Sequence, residues 1–381
     1  MRIAIITESF PPDVNGVAHC VLRVAEQLAT RGHQPLVIAP EPARSTPRPD
    51  GVCWFPVVRV PSVPMPGYPG FRIGLSASRV RSALARHYTD LVHLASPFVL
   101  GASGCAAARQ LRLPVIAVYQ TDVPAYARLY GTGPAGQAAS WRRLRKIHNA
   151  AARTLAPSTA TAADLQSHGI RRVWLWGRGV DTVRFDPARR SAPLRRALAP
   201  GGEVLAGYVG RLAAEKRVDL LAGVAALPGA RLVIVGSGPA EAAARRAMPA
   251  ALFLGQRQGD ALASLYASLD VFVHSGPHET FGQTLQEAAA SGLPVVAPAA
   301  GGPLDLVDQG VTGFLVPPGD CGALAAAVAR LAADPALRAA QGLAAREKVL
   351  GRGWPVLCEE LIGHCHALLE AASAPAAEVP A

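Results

Sequence analysis

The strongest restriction on the fold of this chain is a pattern that recurs along most of its length. A short apolar run is followed by a loop rich in Gly, Pro and Asp, then by an Ala/Leu/Arg stretch with helical spacing. Parallel strands need long crossovers, and helices supply them, so this alternation predicts parallel sheets covered by helices. RIAIIT, PLVIAP, VVRVP, DLVHLA, PVIAVYQ and RTLAPS make a first series, with a helix from about Val17 to Arg31 after the loop ESFPPDVNG. VWLWGRGVD leads into a Pro/Arg-rich connector around residues 186 to 202. A second series runs through EVLAGYVGR, ARLVIVG, ALFLGQ, LDVFVHS, LPVVAP and GFLVPPGD. The expectation is an α/β protein of two Rossmann-like, doubly wound domains, residues 1–190 and 191–352, facing across a cleft. A helix over 353–370 is expected to return to the first domain, and 371–381 reads as a disordered tail.

At 381 residues, half of them hydrophobic and 17% charged, the chain has material for two cores. No apolar run reaches the roughly 18 to 20 residues that span a bilayer. MRIAIITESF lacks a basic leader and cleavage site, so a cytoplasmic location is expected. Six cysteines without a C-x-x-C pair read as free thiols rather than a zinc site or disulfide framework. Charge is divided unevenly: 26 Lys and Arg stand against 10 Asp and Glu through residue 200, then 12 against 17. A basic first half suits an anionic membrane surface or a phosphorylated acceptor. No nucleic-acid module is recognisable, and none is expected as a partner. The basic charge gathers in a Pro/Gly-rich then helical stretch at 61–90 and in a helix from Ser140 to Arg153. Such stripes serve either as solvated helix faces or as a membrane or acceptor surface.

Three motifs carry chemistry. In HETFGQTLQE, Glu279 and Glu287 lie eight positions apart, a little over two helical turns, which places both on one face if the helix starts near Phe281. One acid can hold a sugar's hydroxyls and the other a nucleotide ribose, beside a helix amino end that attracts phosphate. In VGRLAAEKRVD, Arg211 and Lys216 follow a strand and can clamp a diphosphate, neutralising charge as a glycosidic bond breaks. In PPDVNGVAH, Gly16 permits close backbone approach, and in VIVGSGP, Gly236 and Gly238 can bring backbone against a base or ribose. Each glycine motif is equally an ordinary strand-to-helix turn.

Together RIAIITESFPPDVNGV, VGRLAAEKRVD, VIVGSGP and HETFGQTLQEAAASGLPVVAPAAGGP resemble the retaining GT-B glycosyltransferases of family four, over nearly the whole chain and in the same order. LVHLASP, AVYQTDVP, TLAPSTAT, RGVDTVRFDP and VFVHSGPHETF look more narrowly like actinobacterial GDP-mannose-dependent α-mannosyltransferases acting on lipid acceptors. The resemblance implies that Arg211 and Lys216 bind the donor diphosphate, Glu279 the sugar hydroxyls and Glu287 the ribose. It places Gly16 opposite the donor phosphate, and the backbone of Phe281 and Gly282 beside phosphate and sugar. It implies a hexosyltransferase with GDP-mannose as donor, no metal and no other cofactor, and a glycolipid acceptor such as a phosphatidylinositol mannoside or glucuronosyl diacylglycerol. Peripheral attachment to the inner face of the plasma membrane would suit such an acceptor. A soluble acceptor, a UDP-sugar donor, an epimerase and a nucleotide-sugar-binding protein without catalysis are the alternatives.

The chain departs from many relatives where Gln120 replaces a histidine that contacts the donor sugar. Gln cannot take up a proton, so Gln120 is left with hydrogen bonding or a backbone role at the reacting centre. Asp122 either contacts sugar or acceptor or caps the segment after it, and His93 is either a cleft contact or a core residue. His274 and His278 have metal-ligand spacing for a helix, but Gly276-Pro277 interrupts any helix between them.

Overall fold

A computed structural model of the chain describes residues 1–43, 53–65, 72–95 and 97–373. The Pro/Gly-rich residues 66–71 and the end of the expected tail, 374–381, lie outside the described residues. The chain divides into two compact units: Met1–Pro157 with Thr161–Gly177 and the segment from Trp354, and Ser158–Ala160 with Arg178–Gly353.

The first unit is built on seven parallel strands. They are β1 (Arg2–Ile6), β2 (Gln34–Pro40) and β3 (Val57–Val60), then β6 (Leu91–Leu94), β7 (Val115–Val118), β8 (Arg153–Ala156) and β9 (Val173–Leu175), in the order β3-β2-β1-β6-β7-β8-β9. Between β3 and β6 lie two short strands, β4 (Ser62–Pro64) and β5 (Arg72–Gly74), paired antiparallel. The unbroken apolar runs follow from burial on both faces of the sheet. Ile3 and Ile5 point into a layer closed by the helices Gly16–Thr30 and Trp354–Ser373. Ala4 and Ile6 point the other way, under the helices Ala77–Arg86, Leu100–Gln110 and Gly133–Ala150. The Trp176 indole N–H donates to the Leu357 carbonyl at 2.8 Å and ties the C-terminal helix into this unit.

The second unit repeats the plan with β10 (Val204–Val209), β11 (Ala230–Val235), β12 (Leu252–Phe253), β13 (Val271–Val273), β14 (Val295–Pro298) and β15 (Gly313–Val316), all parallel and ordered β12-β11-β10-β13-β14-β15. Val233, Phe272 and Val295 face one apolar layer, and Ala206, Ile234 and Val271 the other. The connector belongs to this unit, because Arg190 and Arg195 both pair with Asp270 at 2.9 and 2.8 Å. The main segment of the unit therefore begins at Arg178, ahead of the boundary after residue 190 that composition suggests.

The basic helix expected over Ser140–Arg153 instead occupies Gly133–Ala150. Ala151 is extended, and Arg153 already opens β8. Among the described residues no helix is long and apolar enough to cross a membrane.

Candidate active site

In the second unit the strand order reverses between β10 and β13. Doubly wound sheets bind ligands outside the carboxyl ends of their strands at such a reversal. The loop after β10 carries Arg211 and Lys216, and the loop after β13 carries Glu279. These loops are held closely together. The Ser275 hydroxyl donates to the Lys216 carbonyl at 2.8 Å. A Cβ on Gly276 would stand 3.0 Å from both the Lys216 Cα and the Glu215 carbonyl oxygen. Lys216 Nζ then donates to Glu279 Oε2 at 2.6 Å.

Burial alone would push the Glu279 carboxyl up. Lys216, His274 and Arg178 outweigh burial and hold it at about 2. Burial pulls the Lys216 ammonium down, and Glu279 more than restores it, so the net shift is upward. Both groups are ionised at neutral pH, an arrangement suited to an anion on one side and hydroxyls on the other.

The loop that presents Glu279 is held from behind. The Gly302 N–H donates to the Glu279 carbonyl at 2.7 Å, and the Ser158 hydroxyl to the Thr280 carbonyl at 2.9 Å. A Cβ on Gly302 would lie 1.9 Å from the Phe281 carbonyl oxygen, so the final GGP of the long motif is a close-packing requirement. Gly282, at φ +107°, turns the chain into the helix Gln283–Ala290. Phe281 is buried before that turn, with the Arg178 guanidinium 5.9 Å over its ring.

This geometry corrects the spacing argument. Glu279 stands on the loop ahead of the helix Gln283–Ala290 and so shares no helical face with Glu287. Pro277 and the positive φ of Gly282 keep the chain out of helical conformation until then. Glu287 is buried and accepts from the Tyr266 hydroxyl at 3.2 Å. Burial pushes its carboxyl up to about 7, against the hydrogen bonds from Tyr266 and Gln283.

Arg211 is half-buried, and its carbonyl accepts from the Tyr208 hydroxyl at 3.1 Å. The next loop closes against it: Leu212 N–H donates to the Ser237 carbonyl at 3.0 Å. Cβ atoms on Gly236 and Gly238 would lie 1.9 Å and 2.3 Å from the Gly210 and Leu212 carbonyl oxygens. Both must be glycine for the loops to meet.

In the first unit, Gly16 opens its helix, capped by Asn15, whose side chain accepts from Val17 N–H and Ala18 N–H. Gln120 is buried after β7 and donates to the Ala95 carbonyl at 2.9 Å. Asp122 takes the capping option, accepting from Ala125 N–H at 3.0 Å and from the Tyr119 hydroxyl at 3.2 Å. His93 lies inside the sheet's apolar layer with its ring 6.2 Å from that of Trp176. Burial lowers it to about 4, so it is a neutral core side chain.

Sequence reasoning passed over Arg178, His274 and the Gly301-Gly302 pair. Arg178 was visible within RGVDTVRFDP, but its influence on Glu279 acts through space from a distant part of the chain. The only local signal at His274 is its metal-like spacing from His278, which Gly276-Pro277 interrupts.

The chain matches the family model described as Glycosyltransferase Family 4 over residues 14–184 and that of Glycosyl transferases group 1 over 193–348. It is 50% identical over 373 residues to the GDP-mannose-dependent alpha-mannosyltransferase of Mycobacterium tuberculosis, covering 97% of each chain. The Corynebacterium glutamicum protein of the same description is 45% identical, with 96% of this chain and 88% of that one covered. Among solved structures, sucrose-phosphate synthase from Thermosynechococcus elongatus shares the fold at a TM-score of 0.80 with 23% identity, covering 98% of this chain and 100% of that one.

Proposed function

This chain belongs to the GDP-mannose-dependent α-mannosyltransferases of glycosyltransferase family four, and we propose that it moves mannose from GDP-mannose to a glycolipid acceptor with retention of configuration. The observation that carries this reading is the Lys216–Glu279 pair at the strand reversal of the second unit, with Arg211 on the same loop as Lys216. In this reading Arg211 and Lys216 take the diphosphate and stabilise the negative charge it gains as the glycosidic bond breaks. Glu279 fixes the mannose hydroxyls and Glu287 the ribose. Gly236, Gly238, Phe281 and Gly282 supply backbone around the donor.

Departure and attack take place on the same face of the sugar, through an oxocarbenium-like state, and the leaving phosphate accepts the acceptor's proton. The side chains supply the charge neutralisation, so the scheme calls for no metal. Gln120 contributes a hydrogen bond rather than a proton transfer.

A lipid acceptor is supported by the first unit's exposed basic faces. Arg79, Arg81 and Arg86 lie on one helix, and Arg142, Arg143, Arg145 and Lys146 on another; Arg128, Leu129 and Tyr130, before the second helix, are also exposed. Exposed cations on helix faces favour an anionic membrane surface, and so peripheral attachment. The test is a transfer assay with a panel of labelled sugar nucleotides and a total lipid extract, with the product anomer assigned by NMR. Label from GDP-mannose in an α-mannosyl lipid is expected. Label passing only from a UDP-sugar, or only into water-soluble product, overturns the donor or the acceptor respectively.

A further inference from the structure

His274 is the first residue beyond β13, its backbone N–H fixed to the Val296 carbonyl at 2.8 Å. It is 2% exposed, and neither ring nitrogen has a hydrogen-bond partner. Buried polar groups are seldom left that way without a reason. The core histidine His148 shows the usual arrangement, with Nδ1 3.1 Å from the Thr154 hydroxyl. His93 is equally unpartnered but faces the Trp176 ring. What distinguishes His274 is an ionised carboxylate: its Nε2 lies 3.9 Å from Glu279 Oε2, beyond hydrogen-bond reach by about 1 Å. Its ring is stacked on Tyr208, at 6.4 Å between centroids and 13° between planes. Tyr208 in turn holds the Arg211 carbonyl.

We infer that His274 is a positioning residue for the transfer, whose Nε2–H takes over the Glu279 carboxylate when the donor diphosphate draws Lys216 away. This rests on the donor-site reading given above. Lys216 Nζ is engaged with Glu279. Once the ammonium turns to the phosphates, a largely buried carboxylate loses its strongest partner, which is costly unless another donor replaces it. The imidazole stands next to that carboxylate, and its ring lies nearly parallel to that of Tyr208. With Lys216 on Glu279, burial is the main cause that lowers the imidazole to about 4.

The test uses His274→Phe, which keeps a stacking ring and loses the N–H, and His274→Gln, which keeps an N–H donor. Calorimetric titration with GDP reads the exchange directly, because the diphosphate alone draws on Lys216. His274→Phe is expected to bind GDP about tenfold more weakly, the effect of leaving one buried acceptor unpartnered. The melting temperature without ligand should stay unchanged, and His274→Gln should recover most of the affinity. In a Glu279→Gln background, His274→Phe should add no further loss. Wild-type affinity in His274→Phe, or the same loss in both backgrounds, overturns the inference. A wild-type chain that does not bind GDP overturns the donor reading first, and this inference with it.

Discussion

At the reversal between β1 and β6 the first unit joins its two loops through Glu8, and at the reversal between β10 and β13 the second joins its loops through Lys216 and Glu279. Glu8 Oε1 accepts from the Leu100 and Gly101 N–H groups at the start of the helix after β6. Its other oxygen is buried without a partner, and burial pushes the acid up to about 7, against those backbone bonds and Arg143. Glu279 is also largely buried, but a lysine faces it and the acid falls to about 2. One topology thus yields two kinds of junction. A carboxyl spent on helix amides fastens a scaffold, whereas an ion pair with residual exposure on both sides can exchange partners with a ligand. Strand order fixes where a junction falls, and the side chain opposite decides whether chemistry can happen there.

The largest effect should come from removing the exchangeable cation. Lys216→Ala is expected to lower kcat/KM for mannosyl transfer by about 10²–10³-fold, the loss that follows removal of one group stabilising transition-state charge. The melting curve should still show a folded protein. Steady-state kinetics with GDP-mannose measures this, and a loss under threefold would remove Lys216 from the diphosphate site.

The glycines behind the same junction give the next effect. In Gly302→Ala the new methyl meets the Phe281 backbone carbonyl, which has no flexible end to move aside. Overpacking of this kind costs about 1–3 kcal/mol, and more where backbone must shift. Thermal melting should show it, with activity falling as the Glu279 loop moves. Undiminished stability would mean that the loop is not held by Gly302.

The junctions also differ in pH response. Glu8 is raised from 4.5 to about 7, so folding favours its protonated form. Its contribution is fully present below pH 4.5 and is lost as pH rises through 7, about 3 kcal/mol at most for a shift of that size. Glu287 behaves with the same sign in the second unit. Glu279 is depressed, so its contribution is present above 4.5 and lost only as pH falls through about 2. Denaturant unfolding at pH 5 and pH 8 should therefore show a smaller difference in Glu8→Gln than in wild type, with part remaining from Glu287. An unaltered difference would show that Glu8 ionises normally in the folded chain.

Both sheets were legible because strands buried on two faces are written as unbroken apolar runs, and the strand-loop-helix alternation leaves few topologies. Lys216 and Glu279 were legible from the strands that precede them. Glu279 and Glu287 do not pair along a helix, since Pro277 and Gly282 hold the first acid in a loop, while the switch-point strands put it beside Lys216. The β4–β5 pair left no readable signal, being two three-residue strands with a proline in one of them. Arg178 and Glu8 act across long sequence separations, through burial and field, and neither quantity is written in local spacing.

Asp122 offers the finest test of the contrast, because sequence left it between ligand contact and cap, and in the structure it caps the helix Val123–Ala127. Asn is as good an N-cap as Asp, so Asp122→Asn should preserve stability, and Asp122→Ala should lower it by about 1 kcal/mol. If the carboxylate serves the first unit only as scaffold, as Glu8 does, kcat/KM for transfer should change by less than about twofold in Asp122→Asn, a shift below 0.5 kcal/mol. A large drop in turnover with the melting temperature preserved would instead put the charge in contact with sugar or acceptor. The first unit would then hold a reacting-centre acid of its own.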